Sequence, residues 1–121
     1  MVIKKGAKFN TVALCTTSRK SRVLPIAKQC QEILLSQNLN VLIDENLSKL
    51  ETKLFRVTKD DEIKKKSDLI IAIGGDGTIL NCSRIYGSKG IPVLGINLGN
   101  LGFLADIHPD DLTSSLLKII N

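Results

Sequence analysis

The sequence contains no tryptophan and few other aromatics, Phe9, Phe55, Tyr86 and Phe103. None recurs among the basic residues as a stacking platform for single strands would require. Despite a net charge of +5, nucleic acid is therefore not an expected partner. No apolar run approaches the roughly 18 residues needed to span a bilayer, and the basic start Met1 to Lys5 has no signal-peptide core behind it. A soluble cytoplasmic protein without membrane partners is expected. The three cysteines, Cys15, Cys30 and Cys82, form no C-x-x-C pair. They read as small buried hydrophobes, not a disulfide framework or a zinc site.

With 121 residues and no internal repeat or low-complexity linker, the chain reads as one domain spanning residues 1–121. Charge is unevenly spread: residues 1–66 hold 14 Lys+Arg against 7 Asp+Glu, and residues 67–121 hold 3 against 5. Glycine is uneven in the opposite sense, since every glycine except Gly6 falls between Asp68 and Ile107. The basic half and the glycine half are thus different halves.

Thr11 to Cys15 is a β-prone run that breaks into a polar loop, Thr16 to Arg22. From Val23, apolar residues recur at helical spacing through Ile26, Ala27, Cys30, Ile33 and Leu34, with Pro25 acceptable only in the first turn. A second strand, Leu39 to Ile43, follows that helix, which makes a parallel βαβ unit. Leu47, Leu50 and Leu54 suit one side of a short helix, and Phe55 to Val57 an extended piece. Asp60-Asp61-Glu62 before Lys64-Lys65-Lys66 puts acids first and bases last, the order a helix dipole favours. That pattern is a solvated helix and not a binding patch. Leu69 to Ile73 is an unbroken apolar strand, Ile79 to Tyr86 a helix, and Ile91 to Ile96 another strand with Pro92 near its start. Pro109 opens a last helix ending at Ile120. The fold class expected is α/β: a three-layer, doubly wound, mainly parallel open sheet.

Between the strand ending at Ile73 and its following helix lies Gly74-Gly75-Asp76-Gly77-Thr78. A strand, a glycine turn and a helix form a ready site for phosphate, because helix N-terminal N–H groups and the dipole favour anions. A Walker A loop is excluded, as no lysine follows a glycine at the required spacing. A Rossmann fingerprint is weak: Leu80 stands where the third glycine belongs, and Asn97 stands where an acidic ribose ligand would be. The carboxylate between the glycines is left to be explained. Phosphates repel it unless it faces a metal or a hydroxyl whose proton it takes, or unless it merely makes an Asx-type turn. The pentapeptide leaves these readings open.

Taken with Gly95-Ile96-Asn97-Leu98-Gly99-Asn100-Leu101-Gly102-Phe103-Leu104, the pentapeptide resembles the paired signature of NAD kinases. G-G-D-G-T alone is shared with diacylglycerol and sphingosine kinases, with a close variant in phosphofructokinases; the second segment discriminates. The resemblance implies a phosphofructokinase-like N-terminal domain and transfer of the γ-phosphate of ATP, or of polyphosphate, to the 2′-hydroxyl of the NAD adenosine ribose, giving NADP. It implies Asp76 as general base. Gly74, Gly75, Gly77 and Thr78 would hold nucleotide phosphates, and Phe103 and Leu104 would form the floor under the NAD adenine. Asn97 and Gly99 would shape their loop. A divalent cation, Mg²⁺ in most members, is implied without assignable ligands, as is a homo-oligomer in the full-length context.

Two departures accompany the resemblance. Asn81 stands where many members carry a basic residue, and the family's C-terminal β-rich domain with its Asn-Glu/Asp motif is not found in these 121 residues. The chain alone is therefore expected to be inactive. Two alternatives stay open, a non-catalytic nucleotide-binding module and a lipid kinase-type domain. Arg19, Lys20 and Arg22, in the loop after the first strand, are expected to assist with ATP phosphates.

Overall fold

The computed structural model describes residues 9–99 and 106–121. Six strands form one sheet: β1 (Thr11–Cys15), β2 (Asn40–Ile43), β3 (Arg56–Val57), β4 (Leu69–Gly74), β5 (Val93–Asn97) and β6 (Asp106–Ile107). Their order is β3-β2-β1-β4-β5-β6, and every pairing is parallel. Four helices cover the sheet: α1 (Val23–Ser36), α2 (Asp60–Lys66), α3 (Asp76–Gly87) and α4 (Leu112–Ile120). The expected α/β architecture is what the chain adopts.

The central strands are apolar without interruption because both of their faces are covered. All six residues of β4 are buried. Side chains alternate along it: Leu69, Ile71 and Ile73 join a core with Val12, Leu14, Ala27, Cys30, Leu34, Leu112 and Leu116, beneath α1 and α4. Ile70 and Ala72 join Ala13, Cys15, Ile63, Ile79, Cys82 and Tyr86, beneath α2 and α3. Two cores on two faces make three layers. All three cysteines are free and buried in these cores.

Local chemistry sets the boundaries. Pro25 lies in the first turn of α1, where its missing N–H costs nothing. At the other end Asn38 takes φ 61°, and the N–H groups of Leu39 and Asn38 return to Leu34 and Leu35 O at 3.2 and 3.0 Å. That is the pattern of a Schellman C-cap. Pro92 stands just before β5, not inside it; it offers only its carbonyl, which accepts from Ile70 N at 2.9 Å.

Four elements differ from expectation, the first being the last helix, where Pro109 opens a 3-10 turn, Pro109–Asp111, and α4 begins only at Leu112. The leucines after β2 sit on a 3-10 helix, Glu45–Leu50, and Leu54 lies outside it, 66% exposed. Asp44 dictates this by capping the turn, its Oδ1 accepting from Asn46 N at 3.0 Å. Helix α3 starts at Asp76, three residues before the apolar pattern does, because its first turn is the glycine motif itself. Strand β6 is two residues long, too short to leave a periodic signal.

Candidate functional site

Strand order reverses between β1 and β4, whose chains leave in opposite directions to α1 and α3. In open parallel sheets ligands bind at the carboxyl ends of the strands at such a switch point. Here that point is framed by Thr16 and Thr17 after β1, by Gly74 to Thr78 after β4, and by Asn97 to Gly99 after β5.

Gly74 ends β4, and a side chain there would collide with the first turn of α3. An added Cβ would lie 2.7 Å from Thr78 Oγ1 and 2.8 Å from Thr78 Cβ. Glycine thus allows Thr78 to fold back over the strand end. Thr78 is buried, and its hydroxyl bonds that of Thr17 at 2.7 Å, closing the β1 and β4 ends against each other. Around added Cβ atoms at Gly75 and Gly77 there is open space, so these two glycines leave room for a ligand to approach the backbone. Gly75 is the N-cap of α3 and makes no side-chain cap. The first N–H groups of the helix, which have no intrahelical acceptor, are left for an anion.

Asp76 is the first residue of α3 and is exposed. Its Oδ1 accepts from Asn97 Nδ2 at 2.7 Å. Asn97, 1% exposed, ends β5 opposite Gly74 in the sheet register. Its Oδ1 accepts from Gly99 N at 3.0 Å. Leu98 N donates to Gly74 O at 2.9 Å, so the two glycine-rich loops are bonded to each other through both backbone and side chain. Asn81 is half-buried one turn further along α3. Phe103 and Leu104, expected under the adenine, lie outside the described residues.

The loop after β1 is built on a second network. Thr16, 1% exposed, donates its hydroxyl to Ile73 O at 2.6 Å and its N–H to Asp44 Oδ2 at 2.9 Å. Asn46 Nδ2 donates to Thr16 O at 2.7 Å. Burial lifts the Asp44 carboxyl to about 6, against the pull of the N–H groups of Thr16 and Asn46. Beyond this network an open cavity of about 520 Å³ is lined by Arg19, Lys20 and Lys49, with Ser18, Ser21, Ser48 and Asn46. Among the described residues no carboxylate lines it, so it suits an anion.

Of the loop cations expected near phosphate, Arg19 and Lys20 do line this cavity, whereas Arg22 donates from a guanidinium nitrogen to Leu98 O at 2.7 Å. Arg22 therefore braces the second glycine-rich loop. Lys49, Thr17 and the Asn97–Asp76 bond were not found by reading the sequence. Lys49 arrives through the 3-10 helix, and neither Thr17 nor the bond has a spacing signature. Among the described residues no group of three His, Cys, Asp or Glu side chains could hold a metal, and Asp76 has one oxygen engaged by Asn97. The described residues thus offer no three-ligand cluster for a resident divalent cation.

Comparison with known proteins agrees with the geometry. The family model described as ATP-NAD kinase N-terminal domain matches residues 12–121. An NAD kinase of Coxiella burnetii (strain RSA 493 / Nine Mile phase I) is 40% identical over 107 residues, 87% of this chain and 36% of that protein. One of Methylococcus capsulatus is 31% identical over 115 residues, 95% of this chain and 40% of that protein. The chain thus spans roughly two fifths or less of these curated relatives. Yeast NADH kinase, solved with NADH, superposes with a TM-score of 0.78 at 20% identity, over 95% of this chain and 39% of that one. The glycotransferase of kitacinnamycin also superposes, with a TM-score of 0.56 at 17% identity over 97% of this chain and 36% of that one, so the fold alone does not select the chemistry. The family match over residues 12–121 places the chain: it belongs to the NAD kinase family, as an N-terminal α/β domain.

Proposed function

We propose that this domain supplies the base and the phosphate-binding turn of an enzyme that transfers the γ-phosphate of ATP, or of polyphosphate, to the 2′-hydroxyl of the adenosine ribose of NAD. The observation that carries the reading is the Asp76 carboxylate, held at 2.7 Å by Asn97 beside the uncapped N-terminus of α3. Phosphoryl transfer is mostly positioning and charge stabilisation. Asp76 takes the hydroxyl proton as the ribose oxygen bonds to the γ-phosphorus, and the bond from that phosphorus to its bridging oxygen breaks, releasing ADP or the shortened polyphosphate. The first-turn N–H groups of α3 and the Thr78 hydroxyl hold phosphate oxygens, and Arg19, Lys20 and Lys49 neutralise the rest of the chain of phosphates. A divalent cation, Mg²⁺ by family resemblance, would arrive on the nucleotide phosphates and neutralise part of their charge. Phe103 and Leu104 are proposed under the adenine on the strength of the motif alone.

The reading extends to the whole enzyme as a cytoplasmic homo-oligomer in which a second, β-rich domain completes the NAD site. On that account the 121-residue chain binds nucleotide with little turnover, so the non-catalytic module and the NAD kinase are one reading at two scales. Among the described residues no helix is long and apolar enough to cross a membrane. A lipid kinase-type activity is disfavoured by the Gly95–Leu104 segment. The test is a coupled assay for NADP from NAD and ATP, with a lipid acceptor as the competing substrate. NADP formed by the polypeptide carrying this domain supports the reading, and phosphorylation of the lipid in its place refutes it.

A further inference from the structure

We infer that Asn97 is a positioning residue for the reaction: it fixes which oxygen of Asp76 acts as the base. The inference rests on the proposed role of Asp76 and deepens it. An amide N–H donates best to the more basic, unprotonated oxygen of a carboxyl group, so the 2.7 Å contact from Asn97 Nδ2 disfavours protonation at Oδ1 of Asp76. Oδ2 is the oxygen left to receive the proton of a substrate hydroxyl. Without that contact an exposed carboxylate on the first residue of a helix turns about its side-chain torsions and presents either oxygen.

Asn97 is suited to the task because it cannot itself turn. It is 1% exposed at the end of β5, in register with Gly74, and its own Oδ1 accepts from Gly99 N at 3.0 Å. This second bond assigns the amide orientation: the oxygen faces an N–H, so the nitrogen faces the carboxylate. Arg22 adds support to the same loop through Leu98 O at 2.7 Å. The amide thus ties the rigid strand end to the mobile torsions of the base, the arrangement that keeps a catalytic group within its productive angle.

The test has two arms. In the 121-residue chain the side-chain amide protons of Asn97 are followed by ¹⁵N-edited NMR. Replacing Asp76 by alanine should move the Asn97 amide signals and speed their exchange with water; unchanged signals would overturn the inference. In the NAD-phosphorylating polypeptide that carries this domain, Asn97→Ala should lower kcat about 100-fold with the KM for NAD unchanged, the signature of an interaction used in the transition state. Asn97→Asp should lose activity as pH rises and the introduced carboxyl ionises against Asp76, since only its protonated form can donate. An equal fall in all variants at every pH, following their melting temperatures, would mark a structural role and overturn the inference alone. A wild-type polypeptide that forms no NADP would overturn the parent reading and this one with it, while the amide signals would still report the contact.

Discussion

The side-chain amide of Asn97 and the carboxylate of Asp76 are bonded at 2.7 Å, joining the last residue of β5 to the first residue of α3. The bond brings two glycine-rich loops, 21 positions apart in the chain, to one end of the sheet. Around it the roles of neighbouring residues can be separated experimentally.

Gly74 is required by contact, since an added Cβ would lie 2.7 to 3.0 Å from three atoms of Thr78. Gly74→Ala should cost about 1–3 kcal/mol in urea denaturation. Thr78→Ala, which removes two of the three clashing atoms, should cost less in the Gly74→Ala background than alone. A strictly additive double mutant would show that the two residues do not press on each other.

Arg19, Lys20 and Lys49 line one cavity and are proposed to meet nucleotide phosphates. Their combined replacement by alanine should weaken ATP binding about tenfold by calorimetry, with the deficit shrinking as salt is raised. Arg22→Ala should instead disturb the loop at Leu98 and leave most of the ATP affinity in place. An unaltered ATP affinity in the triple variant would remove the cavity from the phosphate path.

Asp44 makes stability depend on pH in the direction opposite to most carboxylates. Its folded value is raised from 3.8 to about 6 by burial, so the folded state binds the proton more tightly than the unfolded one. Its contribution is full below about pH 4 and is lost as pH rises through about 6. Relative to Asp44→Asn, the wild type should lose stability between pH 4 and 7, on the order of 2 kcal/mol at most. A wild-type-to-variant difference that stays flat across this range in urea titrations would contradict the assignment.

Much of the fold was legible in the sequence because the central strands are buried on both faces. Thr11 to Cys15 and Leu69 to Ile73 announce themselves as apolar runs, and α1 by its spacing and its proline. The two-residue edge strands Arg56–Val57 and Asp106–Ile107 carry too few residues for any period to register. Leu54 illustrates the limit of spacing: it continues the pattern of Leu47 and Leu50, yet the Asp44 cap starts a tighter helix that ends before it. At the site, the glycine turn was legible as a candidate phosphate site from chemistry, and the role proposed for Asp76 only from the family resemblance. What Asn97 and Lys49 touch was not, since sheet register and the path of a 3-10 helix decide it, and neither is written in residue spacing.

The role proposed for Asp76 is that of the base for phosphorylation of NAD. It is tested most directly by following NADP formation from NAD and ATP in the polypeptide carrying this domain, wild type against Asp76→Asn. The amide is isosteric and Asp76 is exposed, so the melting temperature should hold while the rate falls by about 10²–10⁴-fold. NADP formation by the asparagine variant at the wild-type rate would contradict the account.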